Sequence, residues 1–507
     1  MSETAGVDEA VVESGTVAPP RPLFGGLRIG YRTGLVLISL LTIVLRLRFL
    51  FTPIGIDEGG YLAIARAWGN GKGLYSDVFL DRPQGLLVVF RAWDVLSGGN
   101  TAQLRVIAIV FAIVAAIAIA ETVRMLRDRS AGLVAGTMAA VLLALPSLEG
   151  HTANGELLAS APSAVAVALG CAVLVRRLSP RWMFAAGVMA GVAFSMKQSG
   201  IDGLAALTGW LVLAALFRWE PRRVVARQLA LLWGGGAAVV ALLALHGAFT
   251  DWSGWLYAVQ GYRRTQRSLF IDADWENFWA SAEVALPMLL PLLYVIGAAT
   301  IMMVLKGRLS KVRPVLLVLP LWMVAATMAF LSGGQFFRHY WVSLLFPVAA
   351  IGGYVVGSIR VGWQRIGLAA VLLLPAFVSW ERVVLLSRLE VARNIDDYGA
   401  QQVETIADRL GPRLGPDDDV YVFCARADQY AVLDKDPPFP YLWLDGVRKV
   451  PGALDQLREM LGGDDRPDYL IMFQLECDKS GGLDAVVEAN YEWDSVVAGI
   501  LIMRAKD

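Results

Sequence analysis

Eleven mostly apolar stretches recur along this 507-residue chain, at roughly 34–51, 103–124, 131–148, 157–176, 181–200, 204–217, 226–248, 285–305, 314–333, 341–359 and 364–384. Crossing a hydrocarbon core takes about 20 such residues per helix. In lipid, only segments that satisfy their own backbone hydrogen bonds can cross. The predicted class is therefore an α-helical polytopic membrane protein with about 11 transmembrane helices. Composition agrees, with 56% hydrophobic residues, 18% charged residues and a mean hydropathy of +0.54. A net charge of +0 gives no bulk attraction for nucleic acid.

Basic residues mark one end of these helices. Clusters fall at Arg21/Arg28/Arg32, Arg124/Arg127/Arg129, Arg176/Arg177/Arg181, Arg218/Arg222/Arg223/Arg227, Lys306/Arg308/Lys311/Arg313 and Arg360/Arg365. They recur after every second helix, which assigns those ends to the cytoplasm. Residues 1–33 are then a disordered cytoplasmic tail, and 34–384 the transmembrane part. Residues 52–102 form a first outer segment with interfacial helices, and 249–284 another outer segment. The segment 84–97 carries Arg91 and Asp94 and suits a helix lying at the interface rather than across it. Beyond about 395 the pattern changes to a small extracytoplasmic α/β domain, 395–507. Strands are expected at 419–424, 468–473 and 496–503, and helices at 398–410, 451–462 and 482–489. Cys424 and Cys477 sit at or just past two strand ends, where a disulfide and two free thiols both fit. The abundance of Arg, Ala and Gly is that of a GC-rich bacterial genome, so the expected location is a bacterial plasma membrane.

The unusual polar residues collect in the outer segments. The first holds Asp57, Glu58, Asp77, Asp81 and Arg82. The second holds Glu149, His151, Asn154 and Glu156. Lys197 ends an apolar helix, Arg263, Arg264 and Arg267 share a later segment, and Arg338, His339 and Tyr340 lie in the last one. Carboxylates can act as a general base or bind a divalent metal ion, for which Glu58, Asp81, His151 and Glu156 are the candidates. Separate Arg and Lys groups suit phosphate oxygens. Together they suit a phosphate-linked lipid substrate at the outer boundary. Plainer roles compete: Asp57 and Glu58 as helix caps, Lys197 snorkelling to headgroups, Arg338 as an interfacial anchor, and Arg263, Arg264 and Arg267 solvating a loop.

The first outer segment resembles that of the GT-C glycosyltransferases. The closest branch is that of the protein O-mannosyltransferases and bacterial aminoarabinose transferases. The matching residues are Asp57, Glu58, Tyr61, Ala65, Arg66, Gly73, Leu74, Tyr75, Asp77, Asp81, Arg82 and Pro83. Gln84 stands where that family has a second proline. Looser matches are Glu156 in "NGELL", Lys197 in "SMKQSG", and Arg338 and Tyr340 before Pro347. The resemblance implies a catalytic Asp57 and a polyprenyl-phosphate sugar donor held by Arg82, Lys197, Arg338 and Tyr340. The acceptor would be an envelope glycan, lipid or protein at the outer face. A lipid-linked glycan transporter or flippase also needs many helices. Transporters, however, place paired charges within discontinuous helices, and here the charges lie in the outer segments.

Overall fold

The structure, a computed structural model, describes residues 30–101, 103–176, 178–265, 272–306, 313–391, 398–474, 477–478 and 482–506. Most of the expected N-terminal tail lies outside the described residues, as do Arg177, Arg267, Arg308 and Lys311. The membrane part contains α1 (Tyr31–Leu47), α2 (Ile56–Gly69), α3 (Gly85–Ser97), α4 (Val106–Leu126), α5 (Arg129–Leu142), α6 (Gly155–Arg176) and α7 (Arg181–Met196). It continues through α8 (Asp202–Leu216), α9 (Arg222–Phe249), α10 (Trp252–Leu256), α11 (Trp275–Leu305), α12 (Val318–Gly333), α13 (Val342–Val356), α14 (Gly362–Val384) and the short α15 (Arg388–Val391). Each of the eleven apolar stretches contributes a helix. Among the described residues, eight helical segments are long and apolar enough to cross a membrane, whereas α1, α5 and α7 are shorter. Helix α11 begins ten residues before the expected apolar stretch, because Asp274 caps its N-terminus by accepting from Asn277 N at 3.0 Å.

Helix α4 shows the scale of the bundle. Its 21 residues span about 32 Å at 1.5 Å per residue, close to a hydrocarbon core. Arg105 lies at one end of it and Arg124 and Arg127 at the other. At that second end, Arg127 Nε donates to Gly357 O at 3.2 Å, and Arg365 donates to Ser130, which brings two of the basic clusters to one side. The outer faces of α9 and α11 expose Trp233, Leu242, Leu245, Tyr294, Met302 and Leu305. Contiguous apolar surface of this kind requires lipid or another apolar partner.

Helices α2 and α3 do not cross the bundle. The first turn of α2 carries Asp57 and Glu58, which favourably face the positive end of its dipole. Glu58 is 1% exposed and Arg105 2% exposed. Arg105 donates to both Glu58 oxygens, at 3.3 and 3.0 Å, and to Phe49 O, Thr52 Oγ1 and Pro53 O. Glu58 also accepts from Ala153 N at 2.7 Å and from Gly55 N at 3.2 Å. One ion pair thus joins the end of α1, the start of α2, the entry to α4 and the turn before α6.

The C-terminal part contains α16 (Tyr398–Leu410), β1 (Val420–Val422), α17 (Asp428–Leu433), α18 (Leu444–Lys449), α19 (Ala453–Gly462), β2 (Tyr469–Met472), α20 (Gly482–Asn490), β3 (Tyr491–Val497) and β4 (Ile500–Ala505). The sheet order is β1-β2-β4-β3, with β1 parallel to β2 and the other pairs antiparallel. The single strand expected at 496–503 is in fact a hairpin. Ala498 and Gly499 both adopt positive φ, 52° and 79°, the geometry of a tight two-residue turn. Cys424 and Cys477 form a disulfide with a Cα–Cα distance of 5.8 Å. By chain entropy, closing a loop of this 53-residue separation contributes about 4 kcal/mol.

This unit docks directly on α2. A Cβ on Gly59 would overlap Asp428, and one on Gly60 would lie 2.5 Å from the Trp443 ring, so only glycine permits the approach. Arg66 donates to Ala431 O at 3.2 Å and to Asp434 at 2.6 Å, while Phe79 N donates to Pro440 O at 3.0 Å. Breaking the buried pair by Glu58→Ala should destabilise the protein by on the order of 3–5 kcal/mol, since it strands the Arg105 charge. The double variant Glu58→Leu/Arg105→Met should recover most of the loss. Thermal melting in nanodiscs measures both; a Glu58→Ala protein that melts like the parent contradicts this role.

Candidate active site

A cavity of about 500 Å³ opens between the ends of the membrane helices and the C-terminal unit. Six separate segments of the membrane part converge on it: the start of α2, the stretch before α3, the turn before α6, the end of α7, the 3-10 turn Tyr262–Arg264, and the 3-10 turn Arg338–Trp341 that leads into α13. Each places a polar residue at the same end of the bundle.

Asp57 lines the cavity, is half-buried, and makes no hydrogen bond or ion pair with any described residue. It lies within electrostatic reach of Arg82 and His339. Its neighbour Glu58 also borders the cavity, but its oxygens are occupied by Arg105 and two backbone amides, so its role is to hold the fold. Arg82 is buried, with its guanidinium 5.0 Å from the Tyr61 ring centre and its Nε 3.3 Å from Asp81 Oδ1. Its Nη1 is buried and has no hydrogen-bond partner among the described residues. Gly155 makes room for it: a Cβ there would lie 2.6 Å from Arg82 Nη1 and 3.4 Å from Lys197 Cδ. Those two cations therefore meet over one glycine.

Lys197 pairs with Glu156, and its ammonium lies 4.2 Å from the Tyr340 ring centre. Glu156 stands behind Lys197 rather than on the cavity wall. It also faces His339 Nε2 at 3.9 Å, while His339 Nδ1 lies 3.0 Å from Glu149. Tyr340 donates to Gln335 Oε1 at 3.2 Å, which fixes the ring that Lys197 covers. Gln84, where the family pattern has proline, fastens this region to α9 and α10. It donates to Leu243 O at 2.9 Å and accepts from Trp255 Nε1 at 3.0 Å.

Three sequence expectations need correction. Arg338 is exposed and does not line the cavity, so it cannot share an anion there with Arg82 and Lys197. Arg263, for which a solvated loop was one expectation, lines the cavity instead. Arg263 lies on the cavity wall, 2.9 Å from Asp81, and its Nε is buried with no hydrogen-bond partner among the described residues. His151 is fully buried, stacked on Phe49 with ring centres 4.1 Å apart, and does not reach the cavity. Sequence reading also passed over Arg105 and the wall formed by Tyr441–Gly446. Arg105 sits immediately before an apolar stretch, where it resembles an ordinary interfacial anchor. The 441–446 segment carries no recognisable spacing.

Burial pushes the Asp81 carboxyl up, but Arg263, Arg82 and Lys197 outweigh it and hold the pKa at about 2. Asp81 is thus a permanent anion that positions two of the cations. A metal ion does not fit this donor set. Glu58, Asp81 and Glu156 each face a cation, and among the described residues no group of three or more His, Cys, Asp or Glu could hold a metal.

A sequence profile of the dolichyl-phosphate-mannose-protein mannosyltransferases matches residues 81–246, about a third of the 507-residue chain. No curated protein matches the sequence significantly. Among solved structures, ArnT from Cupriavidus metallidurans bound to undecaprenyl phosphate is similar, with a TM-score of 0.64 at 14% identity over 94% of this chain and 98% of that one. Its apo form gives 0.63 at 13% identity over the same shares. The oligosaccharyltransferase AglB from Archaeoglobus fulgidus, in complex with an inhibitory peptide and a dolichol-phosphate, gives 0.56 at 13% identity over 91% of this chain and 69% of that one. The chain thus has the fold of ArnT and AglB, and about a third of it matches the mannosyltransferase profile.

Proposed function

We propose that the chain transfers a sugar from a polyprenyl-phosphate donor to a hydroxyl of an envelope glycan, lipid or protein at the outer face of a bacterial plasma membrane. The observation that carries this reading is the coexistence, in one cavity, of a carboxylate, Asp57, and buried guanidinium nitrogens on Arg82 and Arg263, none of which has a hydrogen-bond partner among the described residues. Asp57 takes the acceptor proton as the acceptor oxygen forms a bond to the anomeric carbon. The bond from that carbon to the phosphate oxygen breaks, and the leaving polyprenyl phosphate keeps the electron pair. Arg82, Lys197 and Arg263 offset its charge through charge-assisted hydrogen bonds. The undecaprenyl phosphate and dolichol-phosphate named for the ArnT and AglB structures support a lipid-borne donor. The mannosyltransferase profile and the oligosaccharyltransferase neighbour favour transfer over flipping.

The Cys424–Cys477 disulfide, the basic clusters at the far end of the bundle and the docking of the C-terminal unit at the cavity support an extracytoplasmic site. In intact cells, a membrane-impermeant maleimide should label Gln456→Cys and should reach Arg223→Cys only after permeabilisation. The reverse pattern contradicts the orientation.

Asp57→Asn should bind undecaprenyl phosphate normally while turnover falls by roughly 10²–10⁴-fold, the range of lost general-base help. Near-normal turnover in that variant contradicts the assigned base. Arg263→Ala should weaken undecaprenyl phosphate binding by about 2–5 kcal/mol, the cost of truncating one partner of a desolvated charge contact. Arg338→Ala should leave binding nearly unchanged, and a titration showing the opposite order contradicts the assigned anion site.

A further inference from the structure

The cavity has two chemically different sides. Arg82, Lys197 and Arg263 form the cationic one. The other is supplied by the C-terminal unit through Tyr441–Gly446. Trp443 stands beside Tyr61, with ring centres 5.9 Å apart, and over Gly60 of α2. Its Nε1 is buried and has no hydrogen-bond partner among the described residues. Asp445 accepts through Oδ2 from Gln335 and from Lys449, both at 2.9 Å. Its Oδ1 receives no hydrogen bond from the described residues, and its side chain is 45% exposed. Tyr441 packs on Phe79 at 5.3 Å, and Phe79 on Tyr262 at 5.5 Å, so aromatic surface runs between the two sides.

A phosphate alone does not account for this wall, because a carboxylate repels it. A buried indole N–H left unsatisfied is costly unless a ligand accepts from it. An aromatic surface flanked by a few convergent donors and acceptors fits a neutral ring bearing many hydroxyls. We propose that Tyr441–Gly446 is the carbohydrate subsite of this cavity. A sugar ring packs against Trp443 and Tyr441; one hydroxyl donates to Asp445 Oδ1, and one oxygen accepts from Trp443 Nε1. This assignment rests on the proposed transfer reaction. The ring belongs either to the donor or to a glycan acceptor, since both present the same chemistry.

The test uses the full chain in nanodiscs, with Asp445→Asn and Trp443→Phe. Three probes are titrated: undecaprenyl phosphate, undecaprenyl phosphate carrying mannose or arabinose, and the free methyl glycosides of both sugars with undecaprenyl phosphate present. Both variants should bind undecaprenyl phosphate like the parent, which also shows that they are folded. If the ring is the donor's, the sugar-bearing lipid should bind the variants at least about tenfold more weakly. If it is the acceptor's, that affinity should hold while the saturation-transfer signal of the methyl glycosides is lost. Variants that treat all sugar probes like the parent overturn the subsite alone, as does a parent that gains nothing from either sugar. A parent that does not bind undecaprenyl phosphate overturns the transfer reaction and the subsite with it.

Discussion

The buried Glu58–Arg105 pair is the contact on which the geometry of the site depends. Two charges removed from water are expensive, and a hydrophobic pair of the same volume often stabilises a fold as well or better. What this pair supplies is position. Arg105 binds the last residues before α2 and the carboxylate of its first turn, and Glu58 also accepts from Ala153 in the turn before α6. Three chain segments are therefore set in register at the rim of the cavity. The adjacent Asp57, one residue earlier on α2, is left without a partner among the described residues and lines the cavity. Two neighbouring carboxylates with opposite duties follow from the rotation of about 100° per residue along a helix.

The rest of the site is nearly neutral before any ligand enters. Lys197 is balanced by Glu156, and Arg82 and Arg263 share Asp81. Such balance lowers the cost of holding three cations in a partly desolvated site. It still leaves Arg82 Nη1 and Arg263 Nε unsatisfied by the described residues, and these are donors that an anion can take up without displacing a bond among them. Docking of α17 against Gly59 and Gly60 places the C-terminal wall opposite them, so the two parts of the chain build one cavity.

Much of this was legible in the sequence, and the limits have physical causes. Apolar length located the eleven longer helices of the bundle, because lipid penalises exposed backbone regardless of side-chain detail. The residues around Asp57, Arg82 and Lys197 stood out because charge beside apolar stretches is costly and therefore informative. Arg338 and Arg263 were misjudged because loop sequence gives no direction for a side chain; burial separated them. The 496–503 segment read as one strand, since Ala498 is an unusual residue for a positive φ and only Gly499 signals the turn. The Tyr441–Gly446 wall acquires meaning only through docking on α2, a tertiary contact without a local pattern.

The central claim is that Arg82, Lys197 and Arg263 hold a lipid phosphate beside Asp57. Cryo-electron microscopy of the full chain in nanodiscs with undecaprenyl phosphate tests it most directly. The account predicts phosphate density within hydrogen-bond distance of Arg82 Nη1 and Arg263 Nε, in the cavity that Asp57 lines. Density bound instead at Arg338, or at the basic clusters at the far end of the bundle, would contradict it.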